Sequence, residues 1–223
     1  MAEKSTVLLS QLFEAERNVR RLHDELLDGD QAALVDALAK AIPAALDEDE
    51  DEANLRLVRA AELLADVDGA RSVDLLIDVL GSDSPEARLA AGEALEERGY
   101  ARFKELALGV ERALDRLAAG GPALVELPYV LAEIPEPGVL KLLGRFLQNP
   151  EADVVASAIE ALAQAADPDS VKLLKPLEAD KRTVSMEDAE GDEATVTLGE
   201  LAKEAIDLVH AAGGERNGGG RPS

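Results

Sequence analysis

Few residues in this sequence have the types and spacings that could support catalysis. Histidine occurs only at His23 and His210, cysteine is absent, and the serines fall mostly at expected helix caps and turns. No glycine-rich phosphate loop and no Ser/His/Asp set can be recognised. We interpret both histidines as helix-surface residues. The sequence therefore predicts a protein that is not an enzyme and has no catalytic residue, metal site or cofactor.

Carboxylates are the abundant charged groups, since 46 acidic residues face 23 basic ones and the net charge is −23. This charge repels phosphate backbones and anionic lipids, so neither nucleic acid nor a membrane is an expected partner. The acidic run at residues 47–52 is interpreted as a mobile, solvated loop, because adjacent like charges repel each other. Two alternatives stay open: docking of a basic partner, and metal binding. A calcium loop would need alternating ligands and a central glycine, which the run lacks.

The elements that carry these carboxylates repeat along the chain. Ser84 suits a helix N-cap, Pro85 the first helical position and Glu86 the first turn, and the following residues leave a thin apolar stripe. The residues that close equivalent stripes recur at intervals of 31, 36, 31 and 44: Leu64, Leu95, Leu131, Leu162 and Ile206. With 3 Phe, 2 Tyr and no Trp, the chain favours thin stacked helices over a thick core.

This spacing predicts an all-α array of about five helix pairs. The first helices of the pairs are expected at 31–46, 70–80, 101–118, 138–147 and 170–179, and the second helices at 53–66, 84–98, 122–134, 151–166 and 198–212. We place the array at residues 30–212.

Three segments are expected to add to the pairs. The first is a helix at 6–28, within an N-terminal unit 1–29, whose apolar residues alternate steps of four and three. We expect it to dock on the end of the array, with self-association or partner binding as the alternative. The second is a β-hairpin at 181–197, expected either to be a specificity element that adds nothing to the repeating stack or to form a lid over the C-terminal end of the array; beyond it, Thr197 and Glu200 predict a capping box. The third is a flexible tail at 213–223, containing three consecutive glycines.

The repeat resembles the HEAT-repeat family, particularly its bacterial branch with phycobilisome-lyase-type HEAT-like repeats. The resemblance rests on Pro85-Glu86-Ala87-Arg88, Ala91 and Leu95, and covers roughly residues 54–210. It implies a right-handed α-solenoid, armadillo-like in architecture, in which the second helices form the concave surface. Because the N-terminus has no uninterrupted apolar signal and no apolar run reaches membrane-spanning length, we expect a cytoplasmic protein.

The charge on the expected concave surface differs in sign from the charge on the opposite one. The second helices carry 14 acidic and 5 basic residues, whereas the first helices carry 7 acidic and 10 basic residues. Carboxylates away from the apolar stripe on the central second helices are the candidate partner contacts: Glu86, Glu93, Glu97, Glu126, Glu133, Asp153 and Glu160. The hairpin adds Thr183, Ser185 and Thr195 as candidate contacts.

These features predict a non-catalytic scaffold or adaptor whose acidic inner helix face binds a basic protein segment. The alternative is a lyase-like or assembly-factor HEAT protein that acts on a specific client protein, as the bilin-lyase relatives do. Visible absorbance on mixing with a bilin would distinguish the two.

Overall fold

A computed structural model of the chain describes residues 2–187 and 193–218. Within these residues it contains ten α-helices, one 3₁₀ turn at Lys175–Leu177 and two strands. The helices are α1 (Ala2–Leu27), α2 (Gln31–Leu46), α3 (Glu50–Ala65), α4 (Ala70–Leu80), α5 (Pro85–Arg116), α6 (Pro122–Ala132), α7 (Gly138–Phe146), α8 (Ala152–Ala165), α9 (Ser170–Leu174) and α10 (Leu198–Gly218), and the strands are β1 (Thr183–Glu187) and β2 (Glu193–Thr197).

The predicted helices are present within a few residues of their expected bounds. One difference is that the expected helices 84–98 and 101–118 form a single element, α5, in which Arg102 departs from helical geometry with φ −148° and ψ 55°. The helix thus changes direction without a loop, so the boundary between two predicted helices is a kink. Consecutive helices contact each other, as α4 contacts α5 and α5 contacts α6. Alternate helices also meet, as α3 meets α5, α6 meets α8 and α8 meets α10.

The interpretation of residues 47–52 as a loop is wrong for residues 50–52, whereas residues 47–49 connect α2 to α3. Asp49 caps α3 by accepting a hydrogen bond from the Glu52 amide at 3.2 Å, and residues 50–52 form the first turn of that helix. Three carboxylates in a first turn interact favourably with the positive end of the helix dipole, and this attraction offsets part of their mutual repulsion.

The last helix is longer than expected. It continues through Gly218, so residues 213–218 are not part of a separate tail. Extending an existing helix costs less than nucleating a new one, which explains why two glycines at 213–214 do not end it. The remaining tail, 219–223, lies outside the described residues.

The hairpin is confirmed, with Val184 paired with Val196 and Ser185 with Thr195 in antiparallel register. Of its two expected roles, the structure agrees with a lid over the C-terminal end of the array and contradicts an insertion that adds nothing to the stack. Val184 is 5% exposed and belongs to the same continuous core that runs from Leu34 in α2 to Ile206 in α10. β1 contacts α8 and β2 contacts α10, so alternate hairpin residues cover the end of the core. The acidic tip, 188–192, lies outside the described residues.

The first helix covers much less of the array than expected. Only Val19, His23 and Leu27 are half-buried among its side chains from Lys4 to Leu27, and the others are exposed. Its contact with α2 is therefore confined to the C-terminal part of α1.

One buried charge fixes the junction between α3, α4 and α5. The guanidinium of Arg98, 5% exposed, donates to the carboxylate of Asp68 at 2.7 Å and to the carbonyl oxygens of Ala65 and Val67 at 3.1 and 3.0 Å. These carbonyls lie at the end of α3, where no helical amide can satisfy them. The arginine thus holds the first part of α5 against α3 and orients the surface described next.

Candidate protein-binding groove

Three helices, α5, α6 and α8, lie in sequence across one surface of the protein, because α5 contacts α6 and α6 contacts α8. A capping residue and prolines in the sequence determine where α5 and α6 begin. Ser84 Oγ accepts a hydrogen bond from the Ala87 amide at 3.1 Å, and proline occupies the first turn of both α5 and α6. With these starts fixed, residues three and four apart on each helix face the same groove.

The groove has a volume of about 400 Å³, and both apolar side chains and carboxylates line it. It is lined by Leu80, Pro85, Arg88, Leu89, Gly92, Glu93, Glu96, Glu126, Tyr129, Val130, Glu133 and Gln164. Four of these residues are glutamates, whereas Arg88 is the one cation among them.

Like charges gather on one side of this groove. The pKa of Glu96 is raised from its ordinary value, first because the side chain is partly removed from water and second because Glu133 and Glu93 lie near it. A raised carboxyl pKa means that the surroundings disfavour the charged form. The cluster of Glu93, Glu96 and Glu133, here called the glutamate cluster, therefore carries negative charge that the chain itself does not balance.

The opposite side of the groove is neutralised within the chain. Arg88 Nε lies 3.4 Å from Glu126 Oε1, and its Nη1 donates to the Ser82 carbonyl at 2.9 Å. Glu126 thus has a cation beside it. The electrostatic asymmetry of the groove runs from this pair towards the glutamate cluster.

Hydrogen bonds from α8 and α6 hold the carboxylates in place. The Tyr129 hydroxyl donates to Glu160 Oε2 at 2.6 Å, and Gln164 Nε2 donates to Glu133 Oε1. Burial and the Glu160 carboxylate raise the pKa of Tyr129 to about 12, so its hydroxyl remains a donor at neutral pH. These bonds fix Glu133 and Glu160 on a common surface that crosses two helices.

The predicted contact residues divide into two sets. Glu93, Glu126 and Glu133 line the groove, and Glu160 is attached to it through Tyr129. Glu86, Glu97 and Asp153 are exposed but do not line it. Glu86 and Glu97 share a stripe of α5 with Glu93, since they lie seven before it and four after it, and they extend the negative surface beyond the groove.

The hairpin residues form a different surface. Thr183, Ser185 and Thr195 are exposed, and Ser185 faces Thr195 across the ladder. The hairpin contacts α8 and α10 at the C-terminal end of the chain. These three polar side chains and the groove therefore do not form one continuous set of lining residues.

Three residues of the groove were not predicted from the sequence: Glu96, Tyr129 and Gln164. Their positions carried a signal, because Glu96 follows Glu93 by three residues and Gln164 follows Glu160 by four, and such spacings place two side chains on one helix face. Tyr129 lies between Glu126 and Glu133 at the same spacings on α6. Counting polar residues by face would have found all three.

The two histidines remain apart from the groove. His23 Nε2 lies 3.3 Å from Asp66 Oδ2 in a contact between α1 and the end of α3, and His210 is exposed on α10. In the part of the chain that the structure describes, no group of three or more His, Asp or Glu side chains could hold a metal ion. No helix among residues 2–187 and 193–218 combines the length and apolar character needed to span a membrane.

Comparison with known proteins leaves the groove without a named counterpart. No protein-family model matches the chain, and no curated protein matches its sequence. Among solved structures, it is similar to an engineered protein whose crystal structure was determined by the Northeast Structural Genomics Consortium. That similarity has 18% identity and a TM-score of 0.35, and covers 89% of this chain and 91% of the other. A similarity at this level carries no argument about function.

Proposed function

We propose that this protein is a non-catalytic, cytoplasmic interaction scaffold with a right-handed, HEAT-like α-solenoid architecture of about five helix pairs. Its groove between α5, α6 and α8 binds a basic segment of a protein partner. The observation that carries the proposal is the glutamate cluster, in which three carboxylates from two helices line one groove and the pKa of Glu96 is raised by partial burial and by the nearby charges of Glu133 and Glu93.

The charge distribution supports a cationic ligand. A Lys or Arg side chain placed among Glu93, Glu96 and Glu133 relieves their mutual repulsion and gains opposite charges at the same time. The net charge of −23 adds a long-range attraction that speeds the encounter with a basic segment.

The apolar lining suits the same ligand. Leu80, Leu89 and Val130 line the groove together with the carboxylates, and Leu89 is 64% exposed. Lysine and arginine carry long aliphatic stems that pack on apolar surface while their charged ends reach polar groups. The groove therefore offers both parts of such a side chain a complementary surface.

The arrangement of helices supports the solenoid. The helices that contain the expected second helices of the pairs contact one another in the order α3, α5, α6, α8 and α10, as second helices do in a stack of pairs. The acidic groove would then lie on the inner surface, which extended repeat arrays commonly use for binding.

The test measures binding of a fluorescein-labelled peptide rich in Lys and Arg by anisotropy, at low and high salt. The groove variant is Glu93→Gln, Glu96→Gln and Glu133→Gln in one chain. Exposed ion pairs contribute about 0–1 kcal/mol each, so we expect the variant to weaken binding about 10- to 100-fold. High salt should weaken binding to the unmodified chain.

The matched control removes three carboxylates elsewhere: Asp51→Asn, Glu178→Gln and Glu204→Gln, all exposed and outside the groove. Both variants lose the same charge, so a general attraction to an acidic protein would weaken equally in both. Equal losses would overturn the proposal. A further variant, Arg88→Gln, frees Glu126 and should strengthen binding.

A further inference from the structure

The seam of α1 is an apolar surface that its own chain leaves open. The seam consists of Leu8, Leu12, Ala15, Val19, Leu22 and Leu26, spaced alternately by four and three residues. Leu8 and Leu12 are each 54% exposed, and Leu22 and Leu26 are 44% and 46% exposed. Apolar residues repeating every 3.5 residues along a helix are the pattern that a second helix covers in a coiled coil.

The described residues of this chain leave most of the seam open. α1 contacts α2, and His23 also contacts Asp66 at the end of α3. Among residues 4–27, only Val19, His23 and Leu27 are half-buried. The remaining seam residues are therefore available to a second molecule.

We propose that the seam pairs with the seam of a second copy of this chain, forming an antiparallel two-helix coiled coil that makes the protein a homodimer. The two helices run in opposite directions, and residue 17 of one copy lies beside residue 17 of the other. In this alignment each seam residue faces a seam residue of the second copy, so every facing pair is apolar. Leu8 faces Leu26 of the second copy, Leu12 faces Leu22, and Ala15 faces Val19. The reciprocal layers follow by symmetry.

The position of α1 on its own array favours the antiparallel direction. Its side chains from residue 4 to residue 18 are all exposed, whereas Val19, His23 and Leu27 in its C-terminal part are half-buried. A parallel pair would bring the two arrays together at the same end of the coiled coil, where each array already covers part of its own α1. In an antiparallel pair, each array lies beside the open N-terminal half of the other helix.

The surface beside the seam also has room for the second helix. Leu9 and Phe13 lie on the flank of α1 that carries His23, and they are 51% and 56% exposed. In an antiparallel pair the same flanks meet, so these side chains of the second copy approach α2. There an apolar groove of about 330 Å³ opens beside Val19, lined by Leu38, Ala41, Ile42, Ala45, Leu55, Arg56, Arg59, Ala60 and Leu63.

The area available matches a dimer of ordinary strength. Seven large apolar side chains of α1 are about half-exposed: Val7, Leu8, Leu9, Leu12, Phe13, Leu22 and Leu26. Covering them would bury roughly 600 Å² of apolar surface per copy, close to the roughly 800 Å² that each partner contributes to a standard interface. We therefore expect a dimer that forms at micromolar concentration.

The test is sedimentation equilibrium of the full chain over a range of roughly 1–500 µM. The expected mass rises from that of the 23.5 kDa chain to twice that value. The seam variant Leu8→Gln, Leu12→Gln and Leu22→Gln should raise the dimer Kd at least about 100-fold, because it removes apolar burial from six of the paired positions. These side chains are exposed within one copy, so the helical circular dichroism of the variant should be unchanged.

The matched control changes three exposed leucines outside α1: Leu89→Gln, Leu108→Gln and Leu208→Gln. It should change the dimer Kd by less than about 3-fold, since these residues lie outside the interface. A chain that remains at 23.5 kDa throughout the range would overturn the proposal. So would a dimer that the control variant weakens as much as the seam variant.

Direction is tested by disulfide formation, which is unambiguous because the chain has no cysteine of its own. In the antiparallel pair, Leu12→Cys and Leu22→Cys chains should cross-link when mixed, and neither should cross-link alone. Cross-linking of the Leu12→Cys chain with itself would show a parallel pair and overturn the antiparallel assignment.

Discussion

Helices α1 and α4 have similar apolar patterns and opposite surroundings. In α4, the residues Val73, Leu76 and Leu80, spaced by three and four, are at most 3% exposed. In α1, the leucines of the seam, at the same spacings, are about half-exposed. The difference arises from neighbours, because α4 contacts α2, α3, α5 and α6, whereas α1 contacts α2 and, through His23, the end of α3. An apolar stripe shows that a helix needs a partner, and it does not show whether the same chain supplies one.

The largest expected effect comes from exchanging one leucine in each helix for alanine. Leu76→Ala in α4 should reduce the free energy of unfolding by about 2–5 kcal/mol, because it leaves a cavity in a closed core. Leu12→Ala in α1 should change it by less than about 0.5 kcal/mol, because that side chain is exposed within one copy. Urea unfolding at a concentration that keeps the chain monomeric measures both. A loss above about 1 kcal/mol from Leu12→Ala would mean that α1 folds against its own array.

The hairpin provides a second comparison with α1, since both lie outside the expected helix pairs. Unlike α1, the hairpin joins the core through Val184, and Leu198 at the start of α10 is fully buried beside it. We expect Leu198→Ala to cost about 2–5 kcal/mol and Val184→Ala to cost less, because fewer atoms are removed.

Thr183→Ala is the control for the hairpin, because its side chain is exposed on the neighbouring strand position. It should cost less than about 0.5 kcal/mol in the same urea experiment. Equal effects of Val184→Ala and Thr183→Ala would show that the hairpin does not contribute to the core in solution.

The helices could be predicted from the sequence because local residues determine their ends. Ser84 caps α5, and the capping box is confirmed: the Thr197 amide donates to Glu200 Oε2 at 2.9 Å, and the Glu200 amide donates to Thr197 Oγ1 at 3.2 Å. The acidic start of α3 was missed because repulsion along the run was considered without the helix dipole and the Asp49 cap, which act in the opposite direction.

The groove could be predicted only in part, because it depends on contacts between helices. Charge counting identified Glu93, Glu126 and Glu133, whereas the partial burial of Glu96 depends on α6 lying beside α5. Likewise, no sequence pattern predicts that Arg98 is buried, since its carbonyl partners lie about thirty residues away at the end of α3. Such long-range contacts determine which charged residues are covered and which face solvent.

The smallest expected effect concerns Glu96, because its partial burial disfavours the ionised carboxylate. The folded-state pKa of Glu96 is raised, so its favourable contribution to stability is present at acid pH and is lost as the pH rises through that pKa. At neutral pH the ionised side chain opposes folding. Glu96→Gln should therefore stabilise the protein at pH 7 by about 0.2–0.5 kcal/mol, the usual cost of a like-charge pair at helical spacing.

The measurement is the thermal midpoint of the Glu96→Gln variant and the unmodified chain between neutral and acid pH. We expect a difference of roughly 1–2 °C at pH 7, which disappears as Glu96 becomes protonated. Glu204→Gln, an exposed change on α10 outside the groove, is the control and should show no comparable trend. A stabilisation that stays constant with pH would indicate that charge repulsion is not its cause, because only the ionised carboxylate repels Glu93 and Glu133.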